Sequence, residues 1–230
     1  MNKKQFEMLN SKQIAEEQAK APIVYFSIGS LEHHGQHIPV GFDSLWIHKA
    51  CLAAAQETGG VVLPPTFWGT APCVAGIENM SGSLLLKGST IIALASDILD
   101  QLIDRGYKTI VAVAGHNPGV LGRLLAEVKD KYIQENTVNI SIVQPTNFQE
   151  AQKYPEALKL APKVSPDHAG KMETSLALHL YPNLVKMANL DSAEGNIGVD
   201  GLSAKEASSD FGKYIFDSFV EFMVQLVNEA

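Results

Sequence analysis

Ile23-Val24-Tyr25-Phe26-Ser27-Ile28 runs directly into Gly29-Ser30-Leu31-Glu32-His33-His34-Gly35-Gln36-His37-Ile38-Pro39-Val40-Gly41-Phe42-Asp43. The first six residues are almost wholly apolar and read as a buried strand. The fifteen that follow hold one Glu, three His and one Asp. Side chains that bind metals therefore collect where a strand ends and a loop begins, the place where open α/β sheets put their chemistry. Glu32 and His34 are two residues apart and share one side of an extended segment. A carboxylate and an imidazole aimed at one point suit Zn, Mn, Fe or Ni better than Ca or Mg. Taken singly, each residue has a plainer reading. A His is commonly a satisfied polar group, and Asp43, ahead of Ser44-Leu45-Trp46-Ile47, could cap a helix. Taken together, after a buried strand and among Gly and Pro residues that fix a turn, they favour a metal.

Working outward, the first strand covers Ala21 to Ile28, and an N-terminal helix over residues 3–19 precedes it, with Phe6, Leu9 and Ile14 on its apolar face. Downstream, a helix from about Ser44 to Glu57 stops at Thr58-Gly59-Gly60, and Val61 to Leu63 forms a short strand before Pro64-Pro65. Thr66 to Ser83 is too long for a simple connection and is a candidate active-site loop. An edge strand is expected over Ser83 to Lys87. A helix capped at Ser89-Thr90 runs to Arg105, with Gly106 as its stop. Lys108 to Ala114 is the second clear buried strand and ends in Gly115-His116-Asn117-Pro118-Gly119. Then follow a helix over 118–135, a strand from Val138 to Val143, and a loop from Lys159 to Asp167. Asp167 is placed to cap a helix from His168 to Leu180. A loop over 189–202 and a helix from Ser203 to Asn228 complete the chain. Strands alternating with helices imply an α/β fold whose mostly parallel sheet is covered on both faces. No repeat, low-complexity tract or linker interrupts it, so residues 1–230 read as one domain.

Two further segments add chemistry. His116 follows the strongest strand between two glycines, at the same kind of strand end as the Glu32 loop. In the helix expected from His168 to Leu180, Glu173 shares a stripe with Leu176, Ala177 and Leu180. A carboxylate on an apolar stripe is buried, and a buried carboxylate is either ion-paired or bound to a metal. His168, at the start of that helix, is a candidate general acid/base. Cys73 lies in the candidate loop, but no thiol-protease pattern surrounds it, and the expectation is a packed thiol. Ser30, Ser81 and Ser83 lack a nucleophile-elbow pattern. Neither Gly-x-x-x-x-Gly-Lys nor Gly-x-Gly-x-x-Gly occurs, which counts against nucleotide chemistry.

Composition narrows the partners. Of 230 residues, 46% are hydrophobic and 19% charged, and the net charge of −7 argues against a nucleic-acid surface. No apolar run is long enough to span a bilayer. Met1 to Gln5 lacks a signal-peptide core, and two separated cysteines, Cys51 and Cys73, read as thiols rather than a disulfide framework. The expected residence is cytoplasmic and the expected partner a small-molecule substrate.

Gly29 to Gly35 with Pro39 and Asp43, then Gly115-His116-Asn117, then His168-Ala169-Gly170-Lys171-Met172-Glu173-Thr174-Ser175 resemble, in order, the three signature blocks of the creatininase (creatinine amidohydrolase) family. The resemblance implies a three-layer α/β/α sandwich, homo-oligomeric assembly as a hexamer, and one or two divalent ions. Zn is expected first, with Mn or Fe as alternatives. It implies Glu32, His34, Asp43 and His116 as metal ligands, Asp43 bridging, with His168 as acid/base and Glu173 as ligand or water-activating residue. The implied reaction is hydrolysis of a cyclic or formyl amide. Ring-opening C–C hydrolysis of a keto-inositol at the same site, or a non-catalytic metal-binding scaffold, are the alternatives. Creatininase itself carries a Glu ligand two residues after the His of the second block, where this chain has Pro118. Asn79 to Ser83 also departs from the usual Phe-Pro-Gly-Thr. These departures imply a subgroup with its own substrate.

Overall fold

The computed structural model describes residues 4–116, 118–132, 138–143 and 167–229. The loop expected at 159–166 and the helix end at 133–135 lie outside the described residues. Helix α1 (Ser11–Lys20) lies beside the first crossover unit. Four strands follow in the described residues: β1 (Ile23–Ile28), β2 (Val61–Val62), β3 (Thr109–Ala114) and β4 (Asn139–Val143). They form a wholly parallel sheet in the order β2-β1-β3-β4, with Ile23 opposite Thr109 through to Ile28 opposite Ala114.

The two central strands are apolar on both faces because helices cover both. Tyr25, Val111 and Val113 turn to one face. There they meet α2 (Phe42–Thr58), α5 (Lys171–Leu180) and α6 (Ser209–Asn228) through Ile47, Ala50, Leu176 and Phe219. Val24, Phe26, Ile110 and Ala112 turn to the other. There they meet α3 (Gly88–Asp104) and α4 (Pro118–Asp130) through Ile91, Leu99, Leu121 and Leu125. The result is the expected three-layer α/β/α sandwich. The chain leaves β1 toward β2 on one side and β3 toward β4 on the other. The crevice beyond the C-terminal ends of β1 and β3 is therefore a topological switch point, where such sheets bind ligands.

Several boundaries differ from expectation for local reasons. The first helix starts at Ser11, not residue 3, because Asn10 and Gln13 form a reciprocal capping box, and Phe6–Met8 is a separate 3₁₀ turn. Gly41, not Asp43, is the N-cap of α2, which leaves Asp43 in the first turn. Helix α5 begins at Lys171 behind Gly170, so His168 is not helical; it forms an isolated bridge with Asp200. Asp167 nevertheless caps α5 from outside, accepting from the Met172 and Glu173 amides at 2.6 and 3.2 Å. Helix α6 starts at Ser209, where Ser208 Oγ accepts from the Phe211 amide, and not at Ser203. No strand forms at 83–87. Leu84 and Leu86 make only single bridges, to Leu31 and Thr70.

Helices α5 and α6 approach so closely that a Cβ on Gly212 would overlap the Ser175 carbonyl. That contact is backbone and cannot swing aside. Gly212→Ala is expected to cost roughly 1–3 kcal/mol or more by forcing the helices apart. Chemical denaturation should show a lower midpoint at an unchanged slope, and an unchanged midpoint would refute the close packing.

Candidate metal centre

Three segments from far apart in the chain meet at the switch point. The loop after β1 carries Glu32 and His34, and the first turn of α2 carries Asp43. His116 follows β3 by one glycine. A Cβ on that glycine, Gly115, would overlap Ile47 of α2, so the close approach of the His116 loop to α2 requires Gly there. The segment before α5 brings His168, and its first turn brings Glu173. Glu32 and His34 are 0% exposed, Asp43 and His116 1%, and His168 3%. A Glu, an Asp and three His at this depth demand mutual pairing or a cation.

Asp43 presents one carboxylate oxygen to each of two imidazoles. Oδ1 lies 3.0 Å from His34 Nε2, and Oδ2 lies 3.0 Å from His116 Nδ1. Glu32 Oε2 lies 3.1 Å from His116 Nδ1, and Glu173 Oε2 lies 3.6 Å from His34 Nε2. His168 stacks on His34 with ring centroids 4.4 Å apart, its Nδ1 3.8 Å from Glu32 Oε2. Among the described residues, one ligand atom each from Glu32, His34 and Asp43 fall within 4.8 Å of one another, as do those of His34, His168 and Glu173.

The other ring nitrogens decide what this cluster wants. His34 Nδ1–H donates to the Glu32 carbonyl at 2.9 Å. His116 Nε2–H donates to the carbonyls of Ala71 at 2.7 Å and Thr70 at 3.1 Å. His168 Nε2–H donates to the His33 carbonyl at 2.7 Å. Carbonyls only accept, so each of these nitrogens carries the proton. In the neutral rings, the remaining lone pairs then face carboxylate oxygens. Lone pair against carboxylate is repulsive unless a proton or a cation sits between them. Backbone-anchored imidazoles with the free nitrogen turned inward are the arrangement that metal-binding histidines adopt. Glu32 Oε2 and His168 Nδ1 are also buried without a hydrogen-bond partner. The donor set fits a divalent cation of the Zn, Mn or Fe type.

The metal-free protein must fill the gap with protons. Burial alone would push His34 down, but the charge and hydrogen bond of Asp43, then Glu173, outweigh it and raise the ring from 6.5 to about 10. His116 also rises despite burial, through Asp43, Cys73 and Glu32. Asp43 and Glu32 are held low against their own burial, Asp43 by His34 and His116 and Glu32 mainly by His116. Burial prevails at Glu173, which is raised. It also pushes Asp167, with help from the Glu173 charge, up to about 7.

A pH dependence follows. The folded pKa of His34 exceeds its unfolded value. Its contribution to metal-free stability is therefore complete below 6.5 and is lost as pH rises toward about 10. Cation affinity runs the other way, because the ligand nitrogens must shed those protons. The melting-temperature gap between zinc-replete and chelated protein is expected to widen steadily from about pH 6.5 upward. A gap that stays constant across that range would contradict the cluster's design.

The candidates Glu32, His34, Asp43, His116, His168 and Glu173 thus meet at one place. The other two histidines of the first loop face elsewhere and brace it. His33 donates to the Ile197 carbonyl, and His37 Nε2–H reaches the Ala169 carbonyl and Thr174 Oγ1 at 3.1 and 2.8 Å. Cys73 departs from expectation. The residue is exposed rather than packed, yet its backbone N–H donates to Glu32 Oε1 at 2.8 Å and its Sγ stands 3.8 Å from His116 Nδ1. Its placement in an overlong Gly- and Pro-rich loop was the one available signal.

The family model for creatininase, described as creatinine amidohydrolase, matches residues 7–227. A creatinine amidohydrolase of Pseudomonas putida is 26% identical over 234 residues, covering 90% of this chain and 89% of that protein. A 3-dehydro-scyllo-inosose hydrolase of Thermotoga maritima is 24% identical over 181 residues, covering 78% of this chain and 57% of that protein. A crystal structure of creatinine amidohydrolase superposes with a TM-score of 0.83 at 23% identity, over 98% of this chain and 97% of that one. A zinc–zinc form of a creatininase mutant and a manganese form of creatininase each give 0.81 at 23% identity, over 98% of this chain and 97% and 98% of theirs. At that identity the superpositions speak for the fold.

Proposed function

The chain belongs to the creatininase family, and on that premise we propose that it is a metal-dependent hydrolase that opens a cyclic or formyl amide with water. The observation that carries the proposal is the split allegiance of Asp43, one oxygen toward His34 and the other toward His116. A carboxylate so placed suits a bridge between two cations. We assign His34 and Glu173 to one ion and Glu32 and His116 to the other, with Asp43 shared. Zinc is the first choice, with manganese or iron as alternatives.

When bound, the ions supply a hydroxide nucleophile at neutral pH and polarise the carbonyl under attack. The chain's own residues do the rest. The backbone carbonyls of Glu32, Thr70 and Ala71 hold two imidazoles in their working tautomers. His168 is the acid/base residue. Its Nε2–H is committed to the His33 carbonyl, which leaves Nδ1 free to take the proton from water and pass it to the leaving nitrogen. Glu173 Oε2 accepts from the Ala169 amide at 2.6 Å, which sets its carboxylate beside His34. Glu173 thereby also fixes the turn that carries His168.

Residues 1–230 act as one domain in this reading. No helix among the described residues is long and apolar enough to cross a membrane. Two unpaired cysteines support residence in the reducing cytoplasm. Exposed Trp68, Leu84, Ile197 and Leu202 support a homo-oligomer. A second reading, C–C hydrolysis of a cyclic polyol ketone, is favoured by the similarity to the inosose hydrolase. A panel of lactams, formamides and inososes, assayed with chelated and with zinc- or manganese-restored protein, tests both. Metal-dependent turnover of an amide is expected. Turnover of inososes alone would install the second reading, and bound metal without turnover of any compound would install the scaffold.

A further inference from the structure

Cys73 is a polar group at the centre to which the hydrolytic scheme gives no task. The loop that carries it grips the site from two directions. The Thr70 and Ala71 carbonyls accept from His116 Nε2–H, and the Cys73 amide donates to Glu32 Oε1. Between those anchors Ala71 sits at φ 58°, a left-handed conformation that a residue with a Cβ adopts at a cost. The turn delivers Sγ to a point 3.8 Å from His116 Nδ1. One ligand atom each of Cys73, Glu32 and His168 lie within 4.8 Å of one another. Independently of the thiol, Glu32 Oε2 is buried and without a hydrogen-bond partner. A thiol is too weak a donor to satisfy a buried carboxylate oxygen, whereas a cation shared by sulfur and carboxylate satisfies both.

Granted two cations in the centre, we infer that Cys73 binds as a thiolate to the ion held by Glu32 and His116. The thiol proton leaves to solvent as the sulfur–metal bond forms, and no electron changes hands. A soft sulfur at one position and none at the other makes the two positions unequal. The Cys73 side favours Zn, Co or Fe(II), while the His34–Glu173 side accepts Mn as readily.

The test loads chelated full-length protein with Co(II). The wild type is expected to bind two ions and to show a near-ultraviolet thiolate-to-cobalt charge-transfer band that Cys73→Ser lacks. Cys73→Ser should keep the first ion and bind the second at least about tenfold more weakly. In the unmutated protein, zinc should protect Cys73 from iodoacetamide, and Cys51, fully buried in α2, stays silent. Two cobalt ions bound without the band, or alkylation indifferent to zinc, would overturn the assignment of Cys73 alone. Failure of the wild type to bind cobalt at all would overturn the two-cation reading together with it.

Discussion

Asp43→Asn is expected to strip both ions from the protein and lower turnover by roughly a thousandfold or more, since metal polarisation and water activation are together worth several kcal/mol. The substitution keeps size, hydrogen-bonding capacity and the first-turn position in α2. Among the described residues, it removes the only carboxylate that faces both His34 and His116. An amide can serve one imidazole at most, and its NH₂ end would confront the other. If Asp43 merely stabilised the start of α2, Asn would do nearly as well, because the helix-terminus effect of a charge is about 0.3–1 kcal/mol. The two roles therefore predict results orders of magnitude apart. Metal per chain by elemental analysis and turnover on the same sample decide between them. Retention of two ions with unimpaired turnover would remove the bridge from the scheme.

What could be read from the sequence follows from how each feature is encoded. Strands β1 and β3 were legible because continuous apolar β-branched runs have few other uses, and their ends located Glu32 and His116 at once. Glu173 was legible as a polar intruder on the stripe of Leu176 and Ala177, both wholly buried. Helix starts were less so. Asn10, Gly170 and Ser208 set the true boundaries, but Ser and Asp occur at several plausible cap positions, and hydrogen-bond geometry chooses among them. His168 sits outside its helix because its bridge to Asp200 holds it there, a pairing across 32 residues that no local pattern announces.

The same limit hid Cys73. Its partners, Glu32 and His116, are 41 and 43 residues away, and its loop has no periodicity to betray which side faces inward. The edge strand expected at Ser83 to Lys87 failed for a related reason. Leu84 and Leu86 do alternate, but they pair singly with Leu31 and Thr70 and pin the loop where a ladder was expected. Of the three histidines in the first block, the two-residue spacing from Glu32 singled out His34, but the bracing roles of the other two were not encoded locally. Those roles rest on which carbonyls, those of Ile197 and Ala169, the fold brings to His33 and His37.

His168→Gln separates proton transfer from metal binding. The Gln amide can still donate to the His33 carbonyl, so the turn before α5 keeps its anchor, but nothing replaces the free Nδ1. Turnover is expected to fall about 10²–10⁴-fold, the usual worth of a positioned acid/base, with KM and metal content unchanged. His168→Ala should behave alike and recover part of its rate with imidazole added to solution, since the deletion leaves a ring-sized space beside His34. A structural role predicts a different pattern, in which both variants lose thermal stability and metal and imidazole restores nothing. A ligand role predicts metal loss in both. Full turnover in His168→Gln would move the proton-transfer step to Glu173, the other group near that face of His34 whose carboxyl is already raised toward its protonated form.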